Sequence, residues 1–499
     1  MPQPAKINRQ KFAKLLAEVT RLRDEVASEG KATVKLWGAA LERDEFRSSA
    51  LNLAHYLALR RRDISGLQEE LSQLGLSSLG RSEARVLPAL DAIRASLSVM
   101  AEASPVKWPS PAMQKRGTET LAREQARLFG ADPGGPRSRI MMTMPSEAAS
   151  DPDLVRRMIG AGGDCARINC AHDGPEVWAA IIANVRAAAR ELDRACNVLM
   201  DLGGPKIRIT AVTPAEKFRL HRGDRFVLST EPLPLDGETI AAAVSHAQIL
   251  RNLKPGGLVW INDGKIGARA VEADGERALL EVVSARDKGE RLKPEKGINL
   301  PNADLGIPPL TEKDMTDLDF VAANADCVGY SFVQRPSDIT LLQDELARRR
   351  RGKPPQPLIL KIETPLAVRN LPRLIVQAGG RQPLAVMIAR GDLAVEIGLS
   401  RLSEIQEEIL WICEAAHVPV VWATQVLDNM VRDGIATRAE ATDAAMSQRA
   451  ECVMLNKGPH LVEAVAFLDE ILRRMDRHQM KKTARLTPLQ SWAEPQTLG

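Results

Sequence analysis

From residue 6 to about Met100 the apolar residues recur every three or four positions. Phe12, Leu15, Leu16, Val19, Leu22 and Val26 fall on one stripe, and Leu67, Leu71 and Leu74 on another. That spacing predicts helices with one buried face, in a packing or interface role. Two Pro- and Gly-rich stretches, SPVKWPSP (104–111) and GADPGGP (130–136), read as linkers or exposed turns around one further helix. From Arg139 the period changes. The short apolar runs IMMTM, CARIN, CNVLMD, DCVGYSF, PLILKIE, LAVMIARG, VPVVWAT and ECVMLN alternate with helix-length segments such as LSEIQEEILWICEAA and ATDAAMSQRA. Strands alternating with helices imply a parallel sheet, and eight such units close a (β/α)8 TIM barrel. The connection between CNVLMD and DCVGYSF is too long for a loop. It is rich in strand-like runs (GDRFVLST, GGLVWIND, ALLEVVSA), so an inserted β-rich domain is expected there. The predicted organisation is an all-α N-terminal extension with linkers (1–136), a first barrel part (137–204), the inserted β-rich domain (205–298), a second barrel part (299–476) and a polar tail (477–499).

A barrel of this kind carries its active site at the C-terminal ends of its strands. Polar residues that close an apolar run are therefore candidates: Arg167 and Asn169, Asp201, Lys361 and Glu363, Arg390 and Asp392, and Thr424. In LKIETP, Lys361 and Glu363 stand two residues apart, so a strand aims both side chains the same way. Two carboxylates with a lysine and an arginine suit Mg²⁺ holding an anionic, phosphorylated substrate. Structural ion pairs at the barrel rim are the alternative.

Composition narrows the class further. Lys and Arg number 68 against 64 Asp and Glu, a net charge of +4, which is too little over 499 residues to mark a nucleic-acid surface. The clusters Arg60–Arg62 and Arg348–Arg351 each follow a helical stretch and read as solvated charge near a helix C-terminus. No run has the length of a membrane span and MPQPAKINRQ is no signal segment, so no membrane partner is expected. The six cysteines form no C-x-x-C pair, and buried reduced thiols fit a cytoplasmic enzyme.

Nine strings, in order, carry a resemblance: ARINCAHDG, LMDLGGPKIRI, INDGKIG, GINLPNADLGIPPLTEKD, GYSFVQRPSDI, LKIETP, IARGDLAVEI, WATQVLDNM and ATRAEATDAA. They resemble pyruvate kinases, from about Arg139 to Met475, and by that resemblance the inserted β-rich domain is the family's lid domain. The resemblance implies phosphoryl transfer from phosphoenolpyruvate to ADP, giving pyruvate and ATP. It implies that Glu363 and Asp392 hold Mg²⁺, or Mn²⁺ in its place, and that Lys361 faces the migrating phosphoryl group. By the same resemblance Arg167 is shared between phosphate groups, with Asn169, His172, Arg208 and Lys296 on the nucleotide side. Thr424 stands near the substrate carboxylate and the enolate carbon, and the backbone N–H groups around Gly391 and Asp392 bind that carboxylate. A homo-oligomer through barrel faces is expected as well.

The sequence departs from that pattern in places. Most family members hold K⁺ with Asn, Ser, Asp and a Thr carbonyl. Here Asn169 and Asp201 remain, while Ala171 and Leu202 replace the other two and Lys206 stands where the pattern has glutamate. The expectation is that the Lys206 ammonium, with Asn169 and Asp201, substitutes for K⁺, so that K⁺ is not required. Met144, Gly203 and Asn456–Lys457 are further departures, and they bear on nucleotide affinity. After Met475 no counterpart of the family's C-terminal effector domain is expected. Two other readings remain: a Mg²⁺-dependent lyase or decarboxylase acting on a pyruvate enolate, and a catalytically poor regulatory scaffold. Lys361, Arg208 and a full-length lid speak against the first, and intact Glu363, Asp392 and Lys361 against the second.

Overall fold

A computed structural model describes residues 9–131, 134–214, 218–232, 240–301, 306–481 and 483–484. The tail beyond 484 and part of the GINLPNADLG string (302–305) lie outside the described residues, as do residues 6–8 of the first helical stretch.

All eight apolar runs form strands: β1 (Arg139–Thr143), β2 (Cys165–Asn169), β3 (Asn197–Asp201), β4 (Cys327–Tyr330), β5 (Leu358–Ile362), β6 (Leu384–Ala389), β7 (Val420–Ala423) and β8 (Cys452–Leu455). They pair in parallel and close into a barrel, with β1 between β2 and β8. Strand alternation then divides each run into two rows. Met141, Cys165, Leu199, Cys327, Ile359, Ala385, Met387, Val421, Cys452 and Met454 pack together in one cluster, the barrel interior. Their neighbours, such as Ile140, Ala166, Val198, Val328, Leu358, Leu360 and Val386, face the surrounding helices. Two or four positions further along, the interior row becomes polar: Thr143, Arg167, Asp201, Lys361 and Glu363 continue the parity of Met141, Cys165, Leu199 and Ile359. The same-face placement of Lys361 and Glu363 in LKIETP thus extends to four strands.

The N-terminal helices are α1 (Arg9–Trp37), α2 (Asp44–Arg60), α3 (Ser65–Gln73), α4 (Val86–Met100) and α5 (Pro111–Phe129). Leu15, Val19, Leu22 and Val26 are buried in a core continuous with that of the barrel helices. The second half of SPVKWPSP starts α5: Ser110 Oγ accepts from Met113 N at 3.3 Å, and Pro111 occupies the first turn. At its other end Leu128 and Phe129 enter the interior cluster and close the N-terminal end of the barrel. The α2 helix lies on the barrel helix Leu399–Ala415, where Asn52 Nδ2 donates to the Ala415 carbonyl at 2.8 Å. There the Arg60 guanidinium stacks over Trp411 at 4.7 Å. Arg349 pairs with Asp319 and Glu345 and is nearly buried. These two arginines tie helices together, which corrects their reading as solvated charge: their long apolar stems and flat guanidinium groups fill inter-helix gaps.

The lid is a seven-stranded sheet with its own core around Ile209, Phe226, Leu228, Val259 and Leu280. Its last strand, Ile298–Asn299, pairs with Leu258–Ile261. Beyond the last helix, Leu461–His478, the chain forms a short hairpin, Gln479–Met480 with Thr483–Ala484. Among the described residues no helix is long and apolar enough to cross a membrane.

Candidate active site at the barrel mouth

The interior row brings Arg167, Asp201, Lys361 and Glu363 into one buried charge cluster. The Lys361 ammonium lies 2.7 Å from Ser331 Oγ, 3.3 Å from Glu363 Oε1 and 3.4 Å from Asp201 Oδ2. Arg167 Nε donates to Asp201 Oδ2 at 2.8 Å and Arg167 Nη1 to Thr143 Oγ1 at 3.1 Å. Burial works against every one of these charges, and the neighbours decide the outcome. Burial would lower the Lys361 pKa, but Asp201 and Glu363 hold it above the ordinary lysine range. Burial would likewise raise Asp201, yet Lys361 and Arg167 hold it below the usual carboxylate range. Glu363 goes the other way: burial pushes it up and the Asp392 charge adds to that, against the pull of Lys361. A carboxylate that lacks enough cation is a place for one.

Backbone strain shapes the same mouth. Phe332 sits at φ 55°, which aims its N–H at Glu363 Oε2, 2.5 Å away. Thr424 and Gln425 follow β7 at φ 66° and 57°. Consecutive left-handed non-glycine residues are costly and concentrate at functional sites. The turn places Thr424 Oγ1 against Gly391 N at 2.6 Å. The Gly391 N–H, expected to meet a substrate carboxylate, is therefore engaged by that hydroxyl.

Asp392 opens the helix Arg390–Ile397 and pairs with Lys206, whose Nζ lies 2.8 Å from Oδ1 and 3.2 Å from Oδ2. This corrects the grouping of Lys206 with Asn169 and Asp201. Asp201 is already met by Arg167 and Lys361, and Asn169 Oδ1 accepts from Ala171 N at 3.2 Å. Lys206 finds the one mouth carboxylate those cations leave open. The same helix carries Glu396, which accepts from Asn299 Nδ2 at 3.1 Å and is pushed up to about 7 by burial. Both segments that join lid to barrel therefore contact this helix.

Arg390 does not reach the mouth. It follows the interior-facing Ala389, so it points outward, where it stacks over Trp422 at 4.7 Å and pairs with Asp443 at 2.5 Å. Its Nη2 donates to the Thr424 carbonyl at 2.7 Å, which steadies the strained turn. On the opposite side, Arg208 Nη1 donates to the Glu295 carbonyl at 2.8 Å. The His172 pKa is lowered by burial, then by Lys457, Arg208 and Arg167. Lys457, read from the sequence only as a departure, joins this cationic wall. Lys296 stands beside it in the chain segment that pairs with Ile209, and its side chain has no partner among the described residues. Ser331, Phe332 and Thr143 are further residues the sequence reading missed. Ser331 directly follows DCVGY, so the strand-end rule could have found it.

Among the described residues no group of three or more His, Cys, Asp or Glu is arranged to hold a metal. Glu363 and Asp392 offer two hard oxygen donors, and an ammonium already stands on each of them, Lys361 on the first and Lys206 on the second. That donor set fits Mg²⁺, which keeps several waters and takes one or two carboxylates plus substrate oxygens.

The pyruvate kinase barrel-domain family matches residues 136–460. A pyruvate kinase of Agrobacterium vitis is 37% identical over 353 residues, 69% of this chain and 69% of that one. A pyruvate kinase of Methylorubrum extorquens is 34% identical over 348 residues, 68% of this chain and 69% of its own. One from Corynebacterium glutamicum is 33% identical over 355 residues, 68% and 69% of the two chains.

Proposed function

The chain belongs to the pyruvate kinase family, and on that premise we propose how its residues divide the work of moving a phosphoryl group from phosphoenolpyruvate to ADP. The observation that carries the reading is the buried Lys361 ammonium, held between Asp201 and Glu363 at the head of the interior row. Phosphoryl transfer passes through a loose transition state with charge spread over the moving group, so fixed cations do most of the catalysis. Lys361 supplies that fixed charge. Arg167, locked by Asp201 and Thr143, presents a second one toward the phosphates. Thr424 and the Gly391 N–H orient the carboxylate end of the substrate, the substrate taking the hydrogen bond that Thr424 now makes. Arg208, Lys296, Lys457 and His172 form the wall against which the nucleotide phosphates lie. Glu363 and Asp392 would hold the divalent ion, which when bound supplies positive charge to the substrate's phosphate and enolate oxygens. Loading it requires Lys206 to leave Asp392. The buried free thiols agree with a reducing, cytoplasmic setting.

A coupled assay with phosphoenolpyruvate, ADP and Mg²⁺ tests the reading. ATP formation that needs all three is expected. Pyruvate chemistry without nucleotide would select the lyase reading, and silence the scaffold.

The monovalent requirement is a separate prediction. Lys206 puts an ammonium into the mouth, and Ala171 lacks the hydroxyl that a K⁺ ion would take there. Turnover is expected to be equal in Na⁺ and K⁺ buffers of matched ionic strength. Strong activation by K⁺ would refute the substitution.

A further inference from the structure

A second cavity lies at the N-terminal end of the barrel, away from the catalytic row, and phosphoryl transfer makes no use of it. Its volume is about 280 Å³, and four regions meet around it: the segment before α4, the body of α5 with the N-terminal ends of β1 and β8, the end of the barrel helix Leu399–Ala415, and the hairpin after the helix Leu461–His478. Its charged lining consists of four cations, Arg81, Arg85, Arg137 and Lys481, and three carboxylates, Glu83, Glu414 and Glu451.

The carboxylates are committed to the fold. Glu451 accepts from the Val420 N–H at 2.9 Å with one oxygen and meets Lys481 at 2.7 Å with the other. Glu414 stands 3.5 Å from the same ammonium. Glu83 is 8% exposed. Lys481 is pinned in turn, at φ 53°, with its carbonyl accepting from Gln448 Nε2 at 2.9 Å. The guanidinium groups are not committed. Among the described residues Arg81 and Arg85 make no ion pair and no side-chain hydrogen bond. The Arg137 guanidinium has one long contact, 3.4 Å to the Gln448 carbonyl. Three lightly engaged guanidinium groups around one cavity are suited to an anion.

Planar guanidinium forks match the oxygens of a phosphate, which accepts several charge-assisted hydrogen bonds at once. At about 30 Å³ per water, the space takes a phosphate together with a small organic body. We propose that this cavity is a binding site for a small phosphate monoester, gripped by Arg81, Arg85 and Arg137 where the N-terminal extension, the barrel floor and the C-terminal hairpin join. The site would give the extension a ligand-dependent tie to the barrel, beyond its role in the core.

Titration calorimetry on the full chain tests this, with glucose 6-phosphate, inorganic phosphate and glucose as probes. Saturable binding of glucose 6-phosphate is expected, weaker binding of inorganic phosphate, and none of glucose. Arg81→Gln and Arg85→Gln should each weaken the ester about tenfold, the scale of one lost charge-assisted contact. Both variants should keep wild-type turnover and thermal midpoint without ligand. Arg81 is exposed on a turn, so its variant stays informative if Arg85→Gln folds poorly. No binding of either phosphate probe would overturn the proposal. Binding that both variants retain in full would place the ester elsewhere, at the barrel mouth, and overturn it equally.

Discussion

Lys361→Met is expected to lower phosphoryl transfer at least about a thousandfold, the range found when a fixed charge is removed from a desolvated transition state. The substitution keeps the length of the side chain and removes its charge. Asp201 and Glu363 then face each other with only Arg167 to offset them, in a site where Asp201 is fully buried and Glu363 is 2% exposed. Metal affinity should change little, because Glu363 and Asp392 remain. A steady-state assay with phosphoenolpyruvate and ADP, beside Mn²⁺ titration of the same variant, separates the two effects. Normal turnover in Lys361→Met would remove the ammonium from the mechanism.

Glu363→Gln should act through the other half of the cluster. The amide oxygen can still accept the Phe332 N–H now 2.5 Å from Oε2, so the strained turn keeps its partner. What goes is one of two negative charges offered to the divalent ion. Activity is expected to fall about a hundredfold or more at ordinary Mg²⁺, and part of the loss to return as Mg²⁺ is raised, because metal ligation is what failed. Lys361→Met should show no such rescue. This contrast is more telling than either loss alone: rescue of both variants, or of neither, would mean that cation and anion do not have separate tasks.

Much of this site is written in the chain at a spacing of two. Ile359, Lys361 and Glu363 share one face, and so do Cys165 and Arg167, or Leu199 and Asp201. Once a run is recognised as a barrel strand, its inward row runs from apolar floor to charged mouth, and position alone says which polar residues meet. The same rule excludes Arg390, which follows the inward-facing Ala389. Collecting every polar residue at a strand end, without parity, put it in the wrong place.

What the sequence does not show is long-range and non-periodic. Lys206 belongs to the segment entering the lid, and its partner depends on how the lid sits over the helix Arg390–Ile397. No local pattern encodes that. Helical periodicity in the N-terminal extension shows a buried face without saying what covers it. The covering of α2 by the helix Leu399–Ala415, and the entry of Leu128 and Phe129 into the barrel interior, are properties of the assembled core. Arg60 and Arg349 mislead for a related reason: an arginine at a helix end looks solvated until an aromatic ring or a neighbouring carboxylate arrives from another element.

Crystals grown with Mn²⁺ and an unreactive analogue of phosphoenolpyruvate, and measured at the manganese absorption edge, go directly to the arrangement on which the chemistry rests. One anomalous peak is predicted between the carboxylates of Glu363 and Asp392, with Lys206 withdrawn from Asp392 and the Lys361 ammonium turned toward the analogue. A peak bound by other residues, or Lys206 still seated on Asp392 beside a bound ion, would contradict the account.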